Sequence, residues 1–116
     1  MNTIPYNIYK IAEIKKMLKT NETIISGSLK YLNYALIYKP RWSVLDSIDF
    51  CTDHLEFYAL SIGWEGFTET GYRSHFFHPD PSILLIEDDI INLFNWLLMD
   101  SKFSISESIQ LDLFVN

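Results

Sequence analysis

The chain has 116 residues, of which 48% are apolar and 16% aromatic, with one cysteine and a formal charge of −6. This is one domain, 1–116, able to bury roughly two-thirds of its unfolded surface without disulfide or metal. The lone Cys51 excludes an internal disulfide and fits a reducing cytoplasm. The start lacks the basic stretch and apolar core of a secretory signal, and the greasiest segment, 82–99, holds three consecutive acids, so a soluble chain is expected.

The charge is unevenly spread. Up to Arg41 there are seven basic residues against Glu13 and Glu22; from Trp42 onward there are two, Arg73 and Lys102, against thirteen acids. Either the halves neutralise each other on packing, or the later one turns an acidic surface to a basic partner. Nucleic acid is disfavoured as a ligand, because phosphate binding needs a concentrated basic patch.

In chain order, residues 5–19 carry Ile8, Ile11 and Leu18 at helical spacing, with Pro5 tolerated in a first turn. Residues 23–39 place Ile25, Leu29, Leu32 and Leu36 at i, i+4, i+7 and i+11, a second helical stripe despite Gly27, closed by Pro40. Ser43 as N-cap, with Asp46 in the first turn, opens a third helix to Gly63. Residues 64–78, broken by glycine and rich in Thr, Tyr and Phe, read as a loop or small hairpin turning near Thr70–Gly71. Asp80 and Pro81 then start a fourth helix to about Met99. The tail is ambiguous: Ser104 and Glu107 fit a capping box, yet Ile109, Leu111, Leu113 and Val115 alternate as a strand would. The fold expected is mainly α, a compact bundle of four or five helices with a small β-element at 64–78; the alternative is α+β, with the tail as a strand.

Chemistry is sparsely signalled. Cys51-x-x-His54 and His75-x-x-His78 have the arithmetic of a zinc site, since two ligands three apart reach one tetrahedral ion. On a third helix, however, Cys51 falls in the apolar stripe, where a lone cysteine is a small hydrophobe. No phosphate-binding glycine loop is present, and Glu87-Asp88-Asp89 point in different directions on a helix. The expectation is therefore no catalytic residue, no metal and no cofactor: not an enzyme. A small zinc protein or an enzyme built on Cys51, His54, His75 and His78 is the second alternative. Glu87 points into the apolar side of the fourth helix, formed by Ile83, Ile86, Ile90, Phe94 and Leu97; it either reaches solvent at the core's edge or pairs internally with Arg41 or Arg73.

A binding role rests on residues 44–62. Val44, Ile48, Cys51, Leu55, Ala59 and Ile62 form a core-facing stripe; Asp46, Asp49, Asp53 and Glu56 form an acidic stripe about 150° away. Phe50 and Phe57 lie beside those acids as aromatic anchors, and Asp88, Asp89 and Asn92 around Trp96 offer a second patch.

In its general style, a short, acidic, aromatic-rich chain without a catalytic motif, the sequence resembles the immunity proteins of bacteriocin and contact-dependent inhibition systems. That resemblance implies tight inhibitory binding of a cognate toxin, a basic nuclease domain, through an acidic face; small phage-encoded inhibitors of host defence enzymes look much the same and are the alternative. No nucleic acid or membrane is expected as a partner, and the oligomeric state is left open.

Overall fold

The computed structural model describes residues 6–42, 46–47 and 49–103. It overturns the helical bundle. The core is a four-stranded antiparallel sheet in sequence order, β1 (Thr23–Leu29), β2 (Leu32–Lys39), β3 (Asp53–Ala59) and β4 (Tyr72–Phe77). Two helices accompany it, α1 (Ile11–Lys16) and α2 (Glu87–Asp100), making an α+β domain.

The second expected helix is a hairpin. Leu29 pairs with Leu32 and Ile25 with Leu36, so the four residues of the apparent helical stripe are cross-strand neighbours on one face. Lys30 and Tyr31 make the two-residue turn, Lys30 at a φ of 56°, a left-handed conformation costing about 1 kcal/mol for a residue with a Cβ. Gly27 is where Tyr34 crosses the neighbouring strand; a Cβ there would stand 2.7 Å from the Tyr34 hydroxyl.

The third expected helix, 43–63, is β3 and the loop before it. Every residue of β3 is buried, because the strand is central and both its faces are covered. One face meets α2: Tyr34, Leu36, Leu55 and Phe57 pack with Trp64, Phe67, Ile90, Phe94 and Leu97. The other meets α1: Ala35, Ile37 and Tyr58 pack on Ile14. Aromatic rings dominate the first cluster, with Phe57 edge-on to both Trp64 (4.8 Å) and Phe67 (4.9 Å).

The first helix is far shorter than 5–19, and Asn7 is tied by its N–H to the Thr70 carbonyl at 2.8 Å. Gly71, at a φ of 85°, permits this crossing, since a Cβ would lie 2.0 Å from the Asn7 carbonyl oxygen. The expected hairpin at 64–78 supplies only β4, which pairs with β3. The fourth helix starts at Glu87, later than Asp80; Asp80 instead accepts bonds from Ser82 in a local turn, while Asp89 accepts the Ile86 N–H at 2.9 Å and so closes the helix start. Glu87 is exposed, and Arg41 and Arg73 bond to other groups. The ambiguous tail, 104–115, lies outside the described residues. No helix among the described residues is long and apolar enough to cross a membrane.

Candidate interaction surface

The four acids expected on one helical face are dispersed. Successive strand residues point to opposite faces, so Asp53 and Glu56 fall on different sides of the sheet. Both are buried, at 2% and 8% exposure. Glu56 belongs to a polar network on the α1 face: Lys39 Nζ lies 2.8 Å from its carboxylate, the Tyr72 hydroxyl donates to it at 2.5 Å, and Glu22 stands 3.9 Å from the same Lys39. Burial alone would raise the Glu56 pKa, but Lys39 and Tyr72 outweigh it and hold the carboxyl below its ordinary value. The Asp53 carboxylate accepts the Tyr38 hydroxyl and, at 3.0 Å, the Arg41 N–H. Phe57 is a core ring.

The remaining candidates lie elsewhere. Asp49 and Phe50 are exposed on the loop before β3, with Phe50 stacked on His78 at 4.8 Å. Asp46 is partly buried, one of its oxygens accepting the Thr52 N–H at 2.8 Å. Asp88 and Asp89 are exposed in the first turn of α2, and exposed Trp96, further along that helix, stands 6.3 Å from His75.

The cysteine and histidines do not converge. His54 and His75 project to opposite faces, and Cys51 Sγ faces the Pro79 carbonyl at 3.5 Å. Among the described residues no three His, Cys, Asp or Glu side chains are placed to share an ion. Burial raises the Cys51 thiol pKa, and the Asp53 carboxylate adds to the effect, the reverse of what an activated nucleophile needs. Ser74 Oγ and His54 Nε2 are 2.5 Å apart, which superficially forms a nucleophile–base pair. His54 Nδ1, however, is buried without a partner among the described residues. An Nδ1–H there would be an unsatisfied buried donor, so the tautomer that leaves Nε2 free to take a serine proton is disfavoured.

One end of the sheet is distinctive. There β2 and β4 finish, β3 starts, and the chain leads into α2. Trp42, Phe50, Phe76, Ile83, Leu84 and Ile86 lie here, half of the twelve large apolar side chains exposed among the described residues. Leu84 is 88% exposed. On the α1 face Trp42 and Phe76 flank the buried His54 ring, with centroids 5.5 and 4.2 Å away. The loops that carry these groups are tied together by Arg41, whose guanidinium donates to the Ser47 and Pro81 carbonyls, each at 3.2 Å. Between them is a cavity of about 330 Å³, lined among others by Tyr38, Arg41, Cys51, Asp53, Leu84 and Leu85.

Of the residues the sequence singled out for partner binding, Asp49, Phe50, Asp88 and Asp89 fall near this end; Trp42, Phe76 and the 83–86 loop were not among them. The available signal was the Ser82–Ile86 run of four aliphatics, which the expected helix consigned to the core.

No curated protein and no solved structure matches the chain. The family model for the KlcB third domain matches residues 29–108, well over half of the length and spanning β2 to α2. That match does not speak for toxin immunity or contact-dependent inhibition, and the acidic helix on which the immunity reading leaned is absent. By the extent of that match, the chain belongs to the KlcB third-domain family.

Proposed function

We propose that the domain is a protein-binding module that acts by occupying its partner and catalyses no reaction, working in a reducing cytoplasm. The observation that supports this most is the concentration of exposed apolar side chains on the Arg41-tied loops at one end of the sheet. Large exposed apolar patches rimmed by polar residues mark interaction sites, and acids on the same loops and helix start, Asp49, Asp80, Asp88 and Asp89, favour a basic partner surface. Membership of a family named as one domain of a larger protein is in keeping with a modular binding role. The finer reading is inhibition: occupancy of a basic functional surface on a defence enzyme blocks it without chemistry.

The test is a photo-cross-linking residue placed at Leu84 or, as a control, at exposed Ile62 near the opposite end of the sheet. The expected result is a discrete adduct from position 84 in cells, absent from position 62, whose partner is then purified and assayed with and without the domain. Identical adduct patterns from both positions count against docking at this end. An unchanged partner activity at saturating domain counts against inhibition.

A further inference from the structure

The cavity beside Leu84 contains a charge whose neutralisation is incomplete. Asp53 is 2% exposed, and the two groups bonded to its carboxylate, the Tyr38 hydroxyl and the Arg41 backbone N–H, are both neutral. The ion pairs among the described residues are both made by Lys39, on the other face of the sheet. Arg41 lines the same cavity, but its guanidinium donates to the carbonyls of Ser47 and Pro81 and makes no ion pair with Asp53. A second carboxylate, Asp46, stands close enough to act on the Cys51 thiol together with Asp53, and its Oδ2 is buried without a partner among the described residues. Around Cys51, which lines the cavity, two carboxylates, Asp53 and Asp46, act together with one guanidinium, that of Arg41. A buried carboxylate without a paired cation is costly.

Resting on the reading that this end docks a protein, we infer that the cavity receives a lysine or arginine side chain of the partner, its cation set against Asp53. The shape supports this occupant. A volume of about 330 Å³ lies at the small end of ligand sites and suits one long side chain. Ile83, Leu84 and Leu85 line it with apolar surface for the methylene stem, and Tyr38 and Asp53 line it with polar groups. Long cationic side chains divide in the same way, stem against apolar surface and head group at the charge.

The experiment uses the whole chain, isotopically labelled, titrated with Ac-Gly-Lys-Gly-amide, its arginine counterpart, and the norleucine peptide that keeps the stem without the charge. The cationic peptides should bind in the millimolar range and shift the amides of Arg41, Asp53 and Leu85, while norleucine binds at least about fivefold more weakly, the loss expected for a charge-assisted contact. Asp53→Asn should remove that preference. If the variant does not fold, the carboxyl-carbon resonance of Asp53 in the unaltered protein decides: it moves with lysine peptide and not with norleucine. Equal binding of norleucine and lysine, or no movement of the Asp53 resonance, overturns the inference. A Leu84 adduct in cells without lysine binding overturns the cavity's role and leaves docking standing; Asp53-dependent lysine binding without an adduct overturns docking alone.

Discussion

The two ends of the sheet are built on opposite terms. At the end where β1 turns into β2 and β3 leaves the sheet, the backbone closes on itself: Leu60 donates to the Asn33 carbonyl, Trp64 Nε1 reaches the same carbonyl at 2.9 Å, Asn33 donates to Ser61 Oγ, and Ala59 donates to Gly71. Trp64, fully buried, stacks on Phe103 at 5.4 Å. At the opposite end comparable apolar bulk is left in solvent, around a cavity and a set of carboxylates. The difference separates two uses of a hydrophobic side chain. One end contributes to stability by removing apolar surface from water; the other keeps that surface available for a second molecule to cover.

The contrast is sharpest in truncations. Trp64→Ala should destabilise by about 3–5 kcal/mol, the range for deleting a large buried aromatic, whereas Leu84→Ser should stay within roughly 0.5 kcal/mol. Urea unfolding of both variants measures this. Comparable losses would mean that Leu84 is part of the core, and that the two ends do not differ in kind.

A middle-sized effect belongs to the α1-face network, which lies between the ends. Glu56→Gln leaves Lys39 without its close partner and should cost about 2 kcal/mol, below the full penalty for a buried pair because Lys39 keeps some solvent contact. The pH dependence separates two groups there. Glu56 titrates below its ordinary 4.5 in the folded state, so its contribution is fully present above that value and is lost as pH falls through the folded pKa. His54 is also held below its ordinary 6.5, chiefly by burial, so the folded protein resists taking up this proton; stability is undiminished above 6.5 and declines as pH drops below it. Thermal melts from pH 8 to 3 should therefore fall in two stages, the upper removed by His54→Phe and the lower by Glu56→Gln. A single stage that survives both substitutions would place the acid sensitivity elsewhere.

The smallest effect expected is that of Arg41→Ala. Two bonds to loop carbonyls are lost at an exposed side chain, so global stability should change by about 1 kcal/mol or less. Hydrogen exchange should rise at Phe50–Thr52 and Ser82–Leu85 and stay unchanged near Trp64. Uniform acceleration would show that the two ends unfold as one unit.

Much of α2 was legible from its residues. Ile90, Phe94 and Leu97 were expected on the buried side and are there, because the helix has a single covered face and a 3.6-residue period, whereas Ile83 and Ile86, expected with them, precede the helix and are exposed. The hairpin was not legible, for a geometric reason. Around a two-residue turn, positions equidistant from its centre face each other, so Ile25/Leu36 and Leu29/Leu32 reproduce by mirror symmetry the spacing of a helical stripe. The discriminating signal was the unbroken apolar run Tyr34–Tyr38, too continuous for one helical face and natural for a strand covered on both sides. The acids at 46–56 misled as well. Asp46, Asp49, Asp53 and Glu56 sit at helical intervals, yet Asp53 and Glu56 are retained inside by Tyr38 and by Lys39 with Tyr72, partners distant in sequence. The exposed end was only half visible, since Phe50 could be proposed from its neighbours, while Trp42 and Phe76 meet only after β3 and β4 pair.

Arg41 has a consequence for the speed of recognition. Because its guanidinium already holds the 47 and 81 backbones in one arrangement, an arriving partner meets loops that need little further ordering. Encounter then requires orientation alone and not a loop rearrangement, which places the association rate in the ordinary range of about 10⁵–10⁷ M⁻¹ s⁻¹, or above it where opposite charge steers the approach. Variation among partners would accordingly be expressed in how long they stay, set by the fit of their side chains to the exposed end, and hardly at all in how fast they arrive.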